Sequence, residues 1–149
     1  MVGEKYRRWK GDMEALYVYT AGVAGDRFFR EIRDNERLMG TYCPECEVTY
    51  LPPRLYCETC FSELNEWEEI PNKGRVDAVT VAYVDEKGER LTRPKVLAMV
   101  RFPGATGGLI HVVDLPEEDV YRGMEVEVVF LPRGLRKGSF LDILHFKAI

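Results

Sequence analysis

The residues in this chain best placed to do chemistry are four cysteines in two matched pairs. They read Cys43-Pro44-Glu45-Cys46 and, after ten intervening residues, Cys57-Glu58-Thr59-Cys60. A Cys-x-x-Cys turn presents two sulfurs on one side, and two such turns facing each other enclose one tetrahedral ion. The spacer is shorter than the roughly 15–20 residues of the commonest four-cysteine zinc pattern, which still leaves room for a tight ribbon. No histidine falls in the window. All four ligands would therefore be thiolates, and zinc is expected ahead of iron. A closed four-thiolate shell leaves no open position for water or substrate, so the expected role is structural rather than catalytic.

The competing reading is two disulfides or four inert thiols. Disulfides belong to oxidising compartments. The stretch from Met1 to Lys10 is polar and lacks the apolar core of a signal peptide. No apolar run approaches the roughly 18 residues that span a membrane. A reduced, cytoplasmic, metal-bound ribbon is the expectation.

The elements that must position these cysteines fall into three segments of the 149-residue chain. Residues 1–40 read as helical. Met13, Leu16, Tyr17 and Thr20 follow helical spacing, and Ala21-Gly22-Val23-Ala24-Gly25 breaks that helix. A second helix is predicted from an Asp26 N-cap to a Gly40 stop, with Phe28, Phe29, Ile32 and Met39 near one stripe. Residues 41–70 form the ribbon, with Leu51-Pro52-Pro53-Arg54 in the loop between the knuckles.

Residues 71–149 read as five short strands: 74–84, 95–102, 109–113, 124–130 and 140–146. A helical turn at Pro116-Glu117-Glu118-Asp119 lies between the third and fourth. That order fits a Greek-key barrel of the OB type. The fold class is thus α+β: N-terminal helices, a rubredoxin-like four-cysteine ribbon and a C-terminal five-stranded OB-type barrel.

Charge narrows the partners. The net charge is −4, and residues 41–70 hold seven acidic side chains against Arg54 alone. Four thiolates on one zinc ion deepen that surplus. An acidic ribbon is a poor surface for gripping phosphates.

Catalytic groups are sparse. The serines are Ser62 and Ser139, the histidines His111 and His145. His111 with Asp114 suggests part of a triad, but nothing in the sequence places a serine beside them. There is no Walker loop and no dinucleotide fingerprint. OB barrels often bind nucleic acid through a basic groove interleaved with aromatics. Arg133, Arg136 and Lys137 make a basic loop, without an interleaved aromatic. Nucleic-acid binding is the alternative function.

Taken together, the motifs resemble the acyl-CoA-associated family first catalogued as domain of unknown function thirty-five. The carriers are Phe28-Phe29, Cys43/Cys46, Pro52-Pro53-Arg54, Cys57/Cys60, Gly74-Arg75-Val76 and the run Arg122-Gly123-Met124-Glu125-Val126-Glu127-Val128. The lead-in from Tyr19 to Gly25 is similar to archaeal, thiolase-partner members. One departure concerns the residue after the second cysteine of each knuckle. The family often has glycine there, whereas this chain has Glu47 and Phe61.

The resemblance implies a non-catalytic accessory subunit. Such a subunit accompanies a thiolase-like acyltransferase or hydroxymethylglutaryl-CoA synthase and helps a CoA thioester pass between sites. A CoA site would use cations for the phosphates and backbone N–H groups from a tight loop. The candidates are Arg54, Lys73, Arg75 and Arg101. The Gly104-Ala105-Thr106-Gly107-Gly108 stretch would be either a phosphate nest or a plain glycine-rich turn.

Overall fold

The computed structural model describes residues 16–149 apart from Glu86. Among the described residues there is one α-helix, α1, Gly22–Asn35. The shorter helix predicted around Met13–Thr20 does not form over 16–20, and Met13 lies outside the described residues. The Ala21–Gly25 stretch, expected to break a helix, instead begins one. Ala21 stands at the N-cap and Asp26 lies inside the helix, paired with Arg30 one turn on. Burial explains the difference. Ala24, Phe28 and Ile32 line one face and are buried, so packing outweighs the low helix propensity of the glycines.

The helix ends at Asn35, not Gly40, because Glu36 adopts the left-handed conformation (φ 54°). Gly40 sits in a strand where the next chain presses close. A Cβ there would lie 2.8 Å from both Thr49 Cγ2 and the Tyr50 carbonyl oxygen.

The ribbon is built from β1 (Leu38–Cys43), β2 (Val48–Leu51) and β3 (Glu66–Ile70). β1 is central and pairs antiparallel with both neighbours. Arg27 of α1 stacks over the Trp67 ring at 4.3 Å, tying the helix to β3. The barrel strands are β4 (Lys73–Val84), β5 (Arg90–Arg101), β7 (Leu109–Val113), β8 (Glu125–Phe130) and β9 (Ile143–Ala148), closed in the order β4-β5-β7-β9-β8. Their alternation delivers Val96, Ala98, Val100, Val126 and Phe146 to the interior, all buried. The predicted turn between the third and fourth barrel strands is a 3-10 turn, Glu117–Asp119.

The two sheets are joined. Strand β6, Thr106–Gly107, leaves the barrel and pairs parallel with β2, making the ribbon a four-stranded sheet in the order β3-β1-β2-β6. The Gly108 N–H donates to the Leu51 carbonyl at 2.8 Å. The core is correspondingly continuous: Phe28, Ile32, Leu38, Leu51 and Ile70 pack with the barrel interior. A second, smaller cluster of Cys43, Tyr50, Cys57 and Leu64 surrounds the knuckles.

The loop after β8 is clamped to the helix. Arg136 has only 4% of its side chain exposed and donates to the carbonyls of Leu131 and Arg33 while pairing with Glu36. Asp142, also buried, accepts the N–H groups of Lys137, Gly138 and Ser139. Arg136→Met is expected to cost about 1–3 kcal/mol, because it strands two part-buried carbonyls. Denaturant titration of the two proteins checks this.

Candidate metal centre

The first knuckle is a tight turn between two strands, and the second lies in a loop closed by a bridge between Tyr56 and Glu63. Cys43 closes β1 and Cys46 leads into β2, while Cys57 and Cys60 flank a turn in which the Phe61 N–H donates to the Cys57 carbonyl at 3.1 Å. The fold brings all four sulfurs to within 4.8 Å of one another. Cys43 Sγ and Cys60 Sγ are 3.5 Å apart, Cys46 Sγ and Cys57 Sγ 3.8 Å. A regular tetrahedron with metal–sulfur bonds of about 2.3 Å has edges of about 3.8 Å. The donor set therefore fits one four-coordinate ion, and no fifth position opens on it.

The departure at Glu47 and Phe61 has a clear geometric reading. Both residues are left-handed, at φ 54° and φ 62°, the conformation that favours glycine. The knuckles thus keep the turn that glycine would make, with a side chain bearing the strain. Glu47→Gly and Phe61→Gly are each expected to raise stability by about 0.5–1 kcal/mol. Thermal melts of the metal-loaded variants check this.

The sulfur environment is polar. The N–H of Cys60, the Tyr50 hydroxyl (3.3 Å) and the Thr59 N–H (3.4 Å) act on Cys57, holding its thiol down at about 5. Cys46 is pushed up to about 12, first by the neighbouring Cys60 sulfur and then by burial. One thiolate is thus prepared, while Cys43 and Cys46 resist ionisation until a cation is shared. Cys60 Sγ also lies 3.3 Å from Ser62 Oγ. Tyr50, Thr59 and Ser62 were not identified from the sequence, since cysteine spacing names ligands but not the groups around them.

The four basic candidates divide. Arg75 and Arg101 face each other as cross-strand partners on β4 and β5. Lys73 is two residues before Arg75 and opposite Glu127. Arg75 pairs with Glu125 at 2.7 Å, and Asp77 bridges Arg101 (2.6 Å) and Arg122 (3.2 Å). Arg54 stands in the knuckle loop, pairing with Glu58 at 2.5 Å and lying 5.1 Å from the Tyr50 ring centre. Gly104–Gly108 is not a free nest, because Thr106 and Gly107 are engaged with β2.

The remaining polar residues assemble no hydrolytic centre among the described residues. Ser62 belongs to the knuckle and Ser139 to the Asp142 capping box. His111 sits on β7 against Phe140 and Phe146, its Nδ1 without a hydrogen-bond partner. Burial holds its imidazole below the ordinary value of 6.5. A depressed folded pKa favours the neutral ring, so this contribution is complete above 6.5 and is lost as pH falls through the folded value. His111→Phe is expected to flatten that acid limb in melts taken across pH 6.5.

Comparison with known proteins agrees with this architecture. Residues 30–66 match the family model of the ChsH2 rubredoxin-like zinc ribbon domain, and residues 67–131 that of the ChsH2 C-terminal OB-fold domain. A DUF35 domain-containing scaffold protein of Methanocaldococcus jannaschii is 35% identical over 106 residues, covering 70% of this chain and 74% of the relative. Its namesake in Pyrococcus furiosus is 30% identical over 103 residues, covering 69% and 75%. A crystal structure of a DUF35 protein of unknown function from Sulfolobus solfataricus superposes with a TM-score of 0.68 at 29% identity, covering 86% of this chain and 87% of that one. The Ltp2-ChsH2(DUF35) aldolase shares the fold, with a TM-score of 0.61 at 22% identity over 83% of this chain and 93% of that one. With a helix, a four-cysteine zinc ribbon and an OB-fold barrel in this order, the chain belongs to the DUF35 family.

Proposed function

We propose that this chain is a non-catalytic accessory subunit. It docks on a thiolase-like acyltransferase, a hydroxymethylglutaryl-CoA synthase or both, and helps hold or pass a CoA thioester between sites. The observation that carries the reading is the seam at β6, which locks ribbon and barrel into one body, as a protein that positions others requires. Its relatives are named scaffold proteins, which supports the same role. Cys43, Cys46, Cys57 and Cys60 would hold a structural zinc ion in a reducing, cytoplasmic setting. No helix among the described residues is long and apolar enough to cross a membrane.

For the thioester, Arg75 and Arg101 are the pair most suited to phosphates, with Lys73 adjacent. Both arginines are tied to carboxylates that an anion would have to displace. Arg54 would contribute only at a separate contact. In the basic loop that favoured nucleic acid, the Arg136 guanidinium is buried against the helix end, while Arg133 and Lys137 stay exposed. Calorimetric titration of CoA into the assembled complex, with Arg75→Ala and Arg101→Ala, tests the site. Loss of CoA affinity in both variants supports it. RNA binding by the free chain that falls steeply with salt, without CoA binding to the complex, would contradict it.

A further inference from the structure

Among the described residues, one barrel strand edge has no backbone partner over residues 78–84, although the Tyr83 hydroxyl donates to Glu117 at 2.7 Å. β4 pairs with β8 only over Lys73–Arg75, and Val76 makes the last bonds on that side, with Gly123 and Met124. From Ala78 to Val84 only β5 pairs with β4 among the described residues. The free edge reads Ala78-Val79-Thr80-Val81-Ala82-Tyr83-Val84, seven residues with no charge and no proline. Ala78, Val79, Thr80, Tyr83 and Val84 are exposed.

Exposed edges are ordinarily guarded by charge, proline or irregular pairing. The other strand of the same hairpin has charge and proline: Arg90, Arg93, Pro94 and Lys95 lie on β5. Irregular pairing is shared, with shifts at Val76/Ala78 and Ala82/Val84 of β4. Charge and proline guard one edge of the hairpin and are absent from the other over residues 78–84.

A segment of matching character lies elsewhere in the chain. Residues 16–20, Leu-Tyr-Val-Tyr-Thr, form no helix or strand. Leu16, Tyr17, Val18 and Tyr19 are 95, 72, 100 and 84% exposed. Large apolar side chains held this far out of a fold mark an interaction site. Like the edge, the arm is uncharged, and its Tyr17-Val18-Tyr19-Thr20 run alternates aromatic and β-branched residues. Across an added strand, Val and Tyr side chains form the cross-strand pairs that stabilise sheets. Within one copy the two segments do not meet.

We propose that the arm at residues 16–20 of a second copy adds as a strand to the free edge of β4, joining copies of this chain by strand exchange. Backbone hydrogen bonds along the edge supply affinity, and the alternating side chains set register. Reciprocal exchange closes a two-fold dimer, whereas one-way exchange gives an open chain.

The test is sedimentation equilibrium of the full-length, zinc-loaded protein over a range of concentrations. Two variants accompany it, Val18→Asp in the arm and Thr80→Lys on the edge, both at exposed positions. The expected result is a concentration-dependent dimer, or a longer series, that each variant weakens by at least tenfold. The double variant Val18→Asp/Thr80→Lys, which sets opposite charges across the new strand pair, is expected to regain association. A protein that stays monomeric throughout overturns the proposal. So does an oligomer that survives both single variants. So, too, does an arm variant that loses capture of an enzyme partner while the edge variant changes nothing, which would assign the arm to that enzyme.

Discussion

Cys57→Ser is expected to abolish metal binding and melt the ribbon while leaving a weakened barrel. Cys57 is the sulfur that the Cys60 N–H, the Tyr50 hydroxyl and the Thr59 N–H surround, and its thiol is held down at about 5. It is buried in the small cluster with Cys43, Tyr50 and Leu64, which has little apolar area of its own. Structural zinc contributes about 10–16 kcal/mol in small finger peptides. That is as large as the whole stability of a typical domain, so the knuckle end cannot hold without it.

The damage should also spread through the seam. Losing β2 leaves β6 without its partner and exposes Leu51, which belongs to the main core. Metal analysis should therefore give no bound ion. Calorimetry should show the barrel melting well below the parent. Chelation of the parent protein should reproduce both effects, and an unchanged melt after complete metal removal would contradict a structural role.

Gly107→Ala should break the same seam from the barrel side, with the metal still bound. Gly107 has φ +96°, and a Cβ there would stand 2.2 Å from the Leu51 carbonyl oxygen. Backbone cannot move aside as a side-chain tip can. Strain of about 1–3 kcal/mol for the conformation adds to overpacking of similar size, giving about 2–6 kcal/mol. The expected signature is a split melt, in which ribbon and barrel no longer unfold together. Zinc content should remain one per chain. Gly104→Ala is the control: that glycine also has positive φ, but nothing lies within 4 Å of its Cβ position.

These two effects mark where the sequence was readable. The four-cysteine cluster was legible because cysteine spacing is a local code. The barrel strands were legible because alternation is local too: Val96, Ala98, Val100 and Phe102, at every second position of a predicted strand, are all buried. Helix limits were less so. Gly22 and Gly25 look like breakers until the burial of Ala24 is known, and Gly40 looks like a stop until β2 is seen against it. The seam was hidden for a related reason. A two-residue strand carries no period, and the glycines of 104–108 suit a turn, a nest or a close crossing equally well. Only the approach of Leu51 decides between them. Arg136 was misleading for the same reason, since its charge suggests a surface until its partners on α1 are seen.

The most direct test of the scaffold reading is affinity capture of the tagged, zinc-loaded protein from its native host, with mass spectrometry of the retained chains. The account predicts a thiolase-like enzyme or hydroxymethylglutaryl-CoA synthase in stoichiometric amount, resistant to nuclease. Retention of RNA-handling proteins that vanish on nuclease treatment, with no acyl-CoA enzyme among the chains, would contradict it.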